Sequence, residues 1–170
     1  MKKILFLFFT ALVLVSEVFA RDINFQIIQD NPGQEDVFDT SLLFEQAMAD
    51  FFFESGHIVS NTPVYIRTDD VADKAEIKRA LIESLLGSME LLVRVQIIYN
   101  PEKAKNPKAM VLDGISEIKW TAYSVKNGKL LSSGSDKPGY IDEKNNNENG
   151  IYNFGSSVAS KISSGLKNTK

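Results

Sequence analysis

The sequence predicts an α/β (α+β) fold, a single mixed β-sheet of about five strands with three helices packed on it, in the order β-α-β-α-β-β-β-α. Three observations predict it. Short runs rich in β-branched and aromatic residues are intermixed with longer runs whose apolar residues recur at three- and four-residue steps. Asn127-Gly128 sits between Ile115–Val125 and Leu130–Asp136, and Asn-Gly between two strand-like runs signals a hairpin, here expected as a type I′ turn with positive φ at both central positions. A hairpin alone is marginal in water and needs further strands or a helix over one face. No internal repeat is visible, so the elements are expected to close into one unit.

In order, Asp22–Ile28 alternates, with Ile23, Phe25 and Ile27 on one face and Asn24 and Gln26 on the other, which predicts a half-buried strand. Asp30–Asp36 is polar and turn-rich. Thr40–Ser55 predicts a helix with Phe44, Ala47, Met48, Phe51 and Phe52 along one stripe, a cap at Asp39, Thr40 or Ser41, and a left-handed stop at Gly56. Leu42, Leu43 and Phe53 widen its apolar arc. Such a helix is expected to be sandwiched or partly covered; a partner surface is the alternative.

His57–Ile66 predicts a strand. Pro63 inside it has no N–H to give, which implies an edge position, a break or a bulge. Asp73–Leu86 predicts a second helix, with Asp73 and Glu76 at capping-box spacing and a buried stripe of Ile77, Leu81 and Leu85 beside Ala80 and Ile82. Glu90–Tyr99 reads as a central strand interrupted by Arg94 and Gln96. Asn100–Asp113 is a long loop before the hairpin. Lys137–Gly150 reads as polar and flexible. Ile151–Lys167 predicts a last helix with Ile151, Phe154, Val158, Ile162 and Leu166 on one face, and its serines and glycines permit close packing.

Residues 1–20 read as a signal peptide. Lys2 and Lys3 precede the apolar run Ile4–Val15, and Val18-Phe19-Ala20 suits cleavage after Ala20. That run is shorter than the roughly 20 residues of a membrane-spanning helix. A retained anchor is the alternative. Residues 21–170 form the single α/β domain, long enough for a two-layer core. Loss of Lys2, Lys3 and Glu17 makes the formal charge of −3 one unit more negative. A mildly acidic chain without a basic run is not drawn to nucleic acid or anionic lipid. The chain has no cysteine. A hydrophobic core must therefore hold the fold without disulfides, and no residue is available for lipid attachment. The expected location is periplasmic or secreted, with no membrane insertion of the mature chain.

Chemistry-bearing residues are few. His57 is the only histidine and reads as structural or solvated, since zinc there would need carboxylates for every other ligand. Asp69, Asp70, Asp73 and Glu76 could hold calcium, but their spacing fits no EF-hand loop and helix capping is the plainer reading. Asp142, Glu143 and Glu148 lie among asparagines and read as linker rather than metal loop. Trp120 reads as core, with a contact role as the alternative. Lys103, Lys105 and Lys108 read as a solvated loop that could meet an acidic partner. No nucleophile elbow, Walker loop or dinucleotide fingerprint is present. No catalytic, cofactor-binding or metal-binding residue is assigned.

Three features carry a family resemblance. A helix runs through Glu54-Ser55-Gly56 into His57-Ile58-Val59. A second helix leads straight into Leu91-Leu92-Val93-Arg94-Val95. The hairpin Trp120–Ser133 turns through Asn127-Gly128-Lys129 and ends in small residues. The pattern resembles the periplasmic α/β domain shared by the curli-secretion channel CsgG, the penicillin-binding-protein activator LpoB and the amino-terminal domain of TolB. This chain departs from them in lacking a lipid-bearing cysteine, long pore-forming hairpins and a propeller. The resemblance implies a cell-envelope module that binds or scaffolds other envelope proteins, self-association included. The shared features are structural and not chemical, so no functional residue is carried over. The expectation is a non-enzymatic contact module acting through a sheet edge or the apolar side of the first helix. The alternative is a periplasmic binder of a small ligand or envelope polymer, in a cleft between the long loop and the polar linker.

Overall fold

The structure, a computed structural model, describes residues 20–167. The leader expected at 1–20 lies outside them apart from Ala20. The elements are β1 (Asp22–Asp30), α1 (Asp39–Glu54), β2 (Ile58–Ile66), α2 (Asp70–Leu86), β3 (Leu91–Tyr99), a 3-10 turn (Leu112–Gly114), β4 (Ile115–Ser124), β5 (Leu130–Asp136) and α3 (Glu148–Lys167). They form one five-stranded mixed sheet with three helices, in the predicted order.

The sheet order is β2-β1-β3-β4-β5. β1 is parallel to both β2 and β3, and the remaining pairs are antiparallel. The crossover through α1 leaves β1 in one direction and the crossover through α2 returns past it in the other. Right-handed crossovers of opposite direction put their helices on opposite faces. β1 is therefore covered twice and is buried from Ile23 to Gln29, not half-buried as its alternation predicts.

One face is apolar. Ile23, Phe25, Ile27, Val93, Val95, Ile97, Ile118 and Ala122 pack against Phe44, Met48 and Phe52 of α1 and Ile151, Val158 and Ile162 of α3. α1 and α3 touch at Gly155, where a Cβ would lie 2.9 Å from that of Ala47. Phe154 meets Phe44 edge-on at 6.0 Å. Trp120 lies across Gly134, its partner on β5, in the space a Cβ would need; the Trp120 Cζ2 atom is 2.3 Å from that position.

The face under α2 is polar. The buried residues of α2 are Glu76, Ala80 and Ser84, while Ile82 and Leu85 are both 59% exposed, so the predicted stripe of Ile77, Leu81 and Leu85 is replaced. The reason lies in the strand residues opposite. Asn24 donates to Thr62 Oγ1 (3.0 Å) and Ser84 Oγ (2.8 Å). Gln26 donates to Glu76 Oε1 (2.6 Å), and Arg94 donates to Gln26 Oε1 (3.0 Å) and to Asp73 Oδ1 (2.7 Å). Buried polar groups must be bonded, so α2 turns its polar stripe inward to meet them. A small apolar patch of Ala80, Leu92 and Val125, with Leu81 and Tyr123, sits beside this network.

Helix starts differ from expectation. α1 has no side-chain cap among Asp39, Thr40 and Ser41. Gln29 Oε1 from β1 accepts from Phe38 N (2.8 Å) and Ser41 Oγ (3.1 Å) instead. α2 is capped by Asp69, whose Oδ1 accepts from Val71 N and Ala72 N, both at 2.8 Å. That leaves Asp73 and Glu76 free for the sheet, and the expected capping box does not form. α1 ends as predicted, with Gly56 at φ +83°.

The hairpin is also corrected. Only Gly128 takes positive φ (+66°), so the turn is not type I′. Val125–Lys129 forms a five-residue connection, in which Gly128 N donates to Ser124 O (2.8 Å) and Ser124 N donates to Lys129 O (2.9 Å). Asn127 serves through its side chain, accepting from Lys129 N at 3.0 Å. The polar stretch before α3 is ordered by similar bonds. Asp142 Oδ1 accepts from Lys144 N (2.9 Å) and Asn145 N (3.1 Å), and Asn147 Oδ1 accepts from Gly150 N (3.2 Å).

Three predictions follow from this packing. Gly134→Val should displace the single tryptophan, red-shift its fluorescence and cost about 1–3 kcal/mol; parental emission and melting would show that Trp120 does not lie there. Gly128→Val should lower the melting temperature through a cost of about 1–2 kcal/mol for positive φ at a β-branched residue; an unchanged melt would put the turn elsewhere. The third concerns acid. The Arg79 hydrogen bond, with help from Gln26 and against burial, holds Glu76 below its ordinary value of 4.5. A depressed native pKa adds stability above the unfolded value, and this is lost as pH falls through the native value. Urea midpoints should therefore drop below pH about 4.5 more steeply for the parent than for Glu76→Gln; parallel acid limbs would contradict the linkage.

Candidate functional site

The groups that carry chemistry in the sequence are dispersed by the fold. His57 Nδ1 accepts from Arg21 N at 3.2 Å, and its ring meets Phe52 edge-on at 5.9 Å. Burial lowers its pKa. It joins the end of α1 to the start of β2, which is a structural role.

The acidic residues near α2 do not converge. Asp69 caps the helix, Asp70 pairs with Arg67, Asp73 pairs with Arg94, and Glu76 bonds Gln26 and Arg79. Asp142 closes a turn, while Glu143 and Glu148 are exposed. Among the described residues no group of three His, Cys, Asp or Glu side chains is placed to hold a metal. Trp120 is buried. Lys103 pairs with Asp113 (2.9 Å), Lys108 pairs with Asp39 (3.1 Å), and Lys105 is exposed.

Open α/β sheets bind ligands beyond the carboxyl ends of their strands, where the strand order reverses. Here the loop after β3 occupies that place. Asn31 donates to Ala104 O (3.4 Å), Asp39 N to Pro107 O (2.9 Å), and Thr40 Oγ1 to Ala109 O (3.1 Å). Ala104 is buried. The loop and the polar linker meet directly, with Asp113 N donating to Asn146 Oδ1 at 2.9 Å.

A groove lies elsewhere, between α1 and β2, with a volume of about 370 Å³. Phe25, Ala49 and Val59 are among its apolar lining residues, as are Leu42 and Phe53, while Glu45, Asp50 and Asn61 supply polar groups. α3 covers one side of α1, and this is the other side. The expected sandwiching is therefore partial: Leu42 is 47% exposed and Phe53 73%. Asn61 donates to Glu45 Oε1 (3.0 Å), and Tyr152 donates to Asp50 Oδ2 (2.8 Å). Among the described residues neither carboxylate has an ion-pair partner.

β2 borders the groove and ends the sheet. Pro63 fits both readings made of it, since the strand is an edge and the β1 register shifts between Gln26 and Ile28, opposite Pro63 and Val64. Ile58 N donates to Arg21 O and Arg67 N to Gln29 O, so both point toward β1. Alternation on either side of the shift turns the backbone of Val59, Asn61 and Pro63 outward. Sequence reasoning missed Glu45, Asp50, Ser60 and Asn61. The one signal was the apolar excess of α1, too wide for a single covered stripe.

No described helix is long and apolar enough to cross a membrane. No curated protein matches the chain. Among solved structures, PelC from Paraburkholderia phytofirmans, determined as a dodecamer, is similar at 15% identity and a TM-score of 0.42, over 88% of this chain and 90% of that one. The LpoB C-terminal domain from Salmonella enterica is similar at 6% identity and 0.40, over 75% and 89%. TolB from Acinetobacter baumannii is similar at 14% identity and 0.40, over 86% of this chain and 29% of that one. LpoB and TolB are two of the proteins that the residue pattern resembles. The family is shown by the sequence match itself: residues 22–167 fit the model of a family described as "Uncharacterised protein", and the chain belongs to that family.

Proposed function

We propose that this protein works in the bacterial cell envelope as a non-enzymatic module that binds other proteins by contact. The observation that carries the reading is the edge of β2, unpaired among the described residues, beside an apolar groove rimmed by exposed Phe53 and Leu42. An open strand edge offers a row of backbone donors and acceptors, and an adjoining apolar surface adds the desolvation energy that makes pairing stable. Large exposed apolar side chains gathered in one place mark contact surfaces. The envelope location is supported by the leader-like residues Lys2, Lys3 and Ile4–Val15 and the small residues before a cut at Ala20. The non-enzymatic reading is supported by the way Asp69, Asp73, Glu76, Asp142, His57 and the buried Arg94 are engaged in a cap, a turn, the junction between α1 and β2 or the polar network under α2.

A photo-cross-linker placed at Asn61, and separately at Phe53, tests this in intact cells. Both probes should capture the same envelope protein, while a probe at Lys126, in the β4–β5 turn, should not. Capture from Lys126 alone, or none from the groove, would sink the reading.

A further inference from the structure

We propose that the groove receives an extended segment of a partner protein, added as a further strand on the outer edge of β2, whose groove-facing side chains, every second residue, include both basic and apolar ones. This rests on the contact reading above and supplies the chemistry of the partner.

Three observations lead to it. The first is the backbone. Val59 and Asn61 face outward, their amide and carbonyl groups without a partner among the described residues, and Pro63, at the next outward position, has no N–H to offer. The register shift beside Pro63 bends the edge away. Pairing is thereby confined to the stretch before Pro63, which suits a short strand and disfavours unlimited edge-to-edge growth.

The second is side-chain alternation. An added strand points every second side chain to the α1 side of the sheet. There it meets Phe53, Leu42 and Ala49, which favour apolar residues, and the carboxylates of Glu45 and Asp50 between them.

The third is charge. Glu45 and Asp50 are held by the neutral groups of Asn61 and Tyr152, so their charge is not cancelled. α1 carries Glu45, Asp50 and Glu54 besides Asp39, which pairs with Lys108, and contains no Lys or Arg. A second copy docking through the same face would set these carboxylates against each other, and like charges at an interface repel. A basic segment is complementary where a second copy is not.

The test uses the full mature chain and two labelled peptides read by fluorescence anisotropy. One carries lysine and an apolar residue in turn at every second position, with threonine between them; the other has glutamate at every lysine. The lysine peptide should bind at least about tenfold tighter, with a preference that shrinks as salt rises. Glu45→Gln combined with Asp50→Asn should remove that preference while leaving the melting temperature near the parent's, since both amides can still accept the hydrogen bonds of Asn61 and Tyr152. N-methylation of the lysine peptide's backbone amides should abolish binding. Equal binding of the two peptides, indifference to N-methylation, or a dimer that buries Asn61 and ignores peptide would each overturn the proposal. If the Asn61 probe still captures a partner in cells while the lysine peptide fails, the contact reading stands and only this inference falls. If neither occurs, both fall.

Discussion

β1 has parallel neighbours on both sides, and the two crossovers that create them run in opposite directions, one from β1 to β2 and one from β2 back past β1 to β3. Most other features of the molecule depend on that reversal. It sends α1 and α2 to opposite faces, buries β1 on both, and makes β2 the end of the sheet. Each face then has to be completed separately. α3 joins α1 over the apolar face, where Gly155 lets the two helices approach closely. α2 covers the other face alone and leaves Ile82, Leu85 and Leu86 exposed.

The polar face shows how β1 can carry Asn24 and Gln26, and β3 can carry Arg94, inward. Arg94 is 3% exposed and bonds both Gln26 and Asp73. A buried cation without partners would cost several kcal/mol, roughly 3–5 when one partner is removed. The network meets that cost with hydrogen bonds that come from three elements: β1, β3 and α2. It also sets the rotation of α2, because only the Asp73–Glu76–Ala80–Ser84 stripe offers the matching groups. Two buried polar atoms, Asn24 Oδ1 and the Tyr65 hydroxyl, have no partner among the described residues.

The groove is a consequence of the same arrangement. α1 is apolar around more of its circumference than one neighbour can cover, and α3 takes the side away from β2. The remaining side meets an edge strand, so apolar side chains, unpaired backbone and uncompensated carboxylates share one place. That coincidence, more than any single residue, makes this the strongest candidate for contact. By contrast the crevice beyond the strand ends is filled by the loop after β3, whose carbonyls bond the start of α1.

Local signals were enough for the elements. Period-two and period-four patterns placed the five strands and three helices, Gly56 and Gly128 marked where the chain needs positive φ, and Pro63 announced an edge or bulge. The groove was legible only as an excess of apolar residues on α1. What the chain alone left open was everything that depends on distant partners. Gln29 replaces a local cap on α1 because β1 brings its side chain there. Glu76 faces inward because Gln26 stands opposite, and Phe53 stays outside because α3 packs on the other flank. The physical reason is range: propensity, turn chemistry and periodicity act over a few residues, whereas burial, pairing of polar groups and the choice of covered face are settled between residues tens of positions apart, by the order in which strands lie in the sheet.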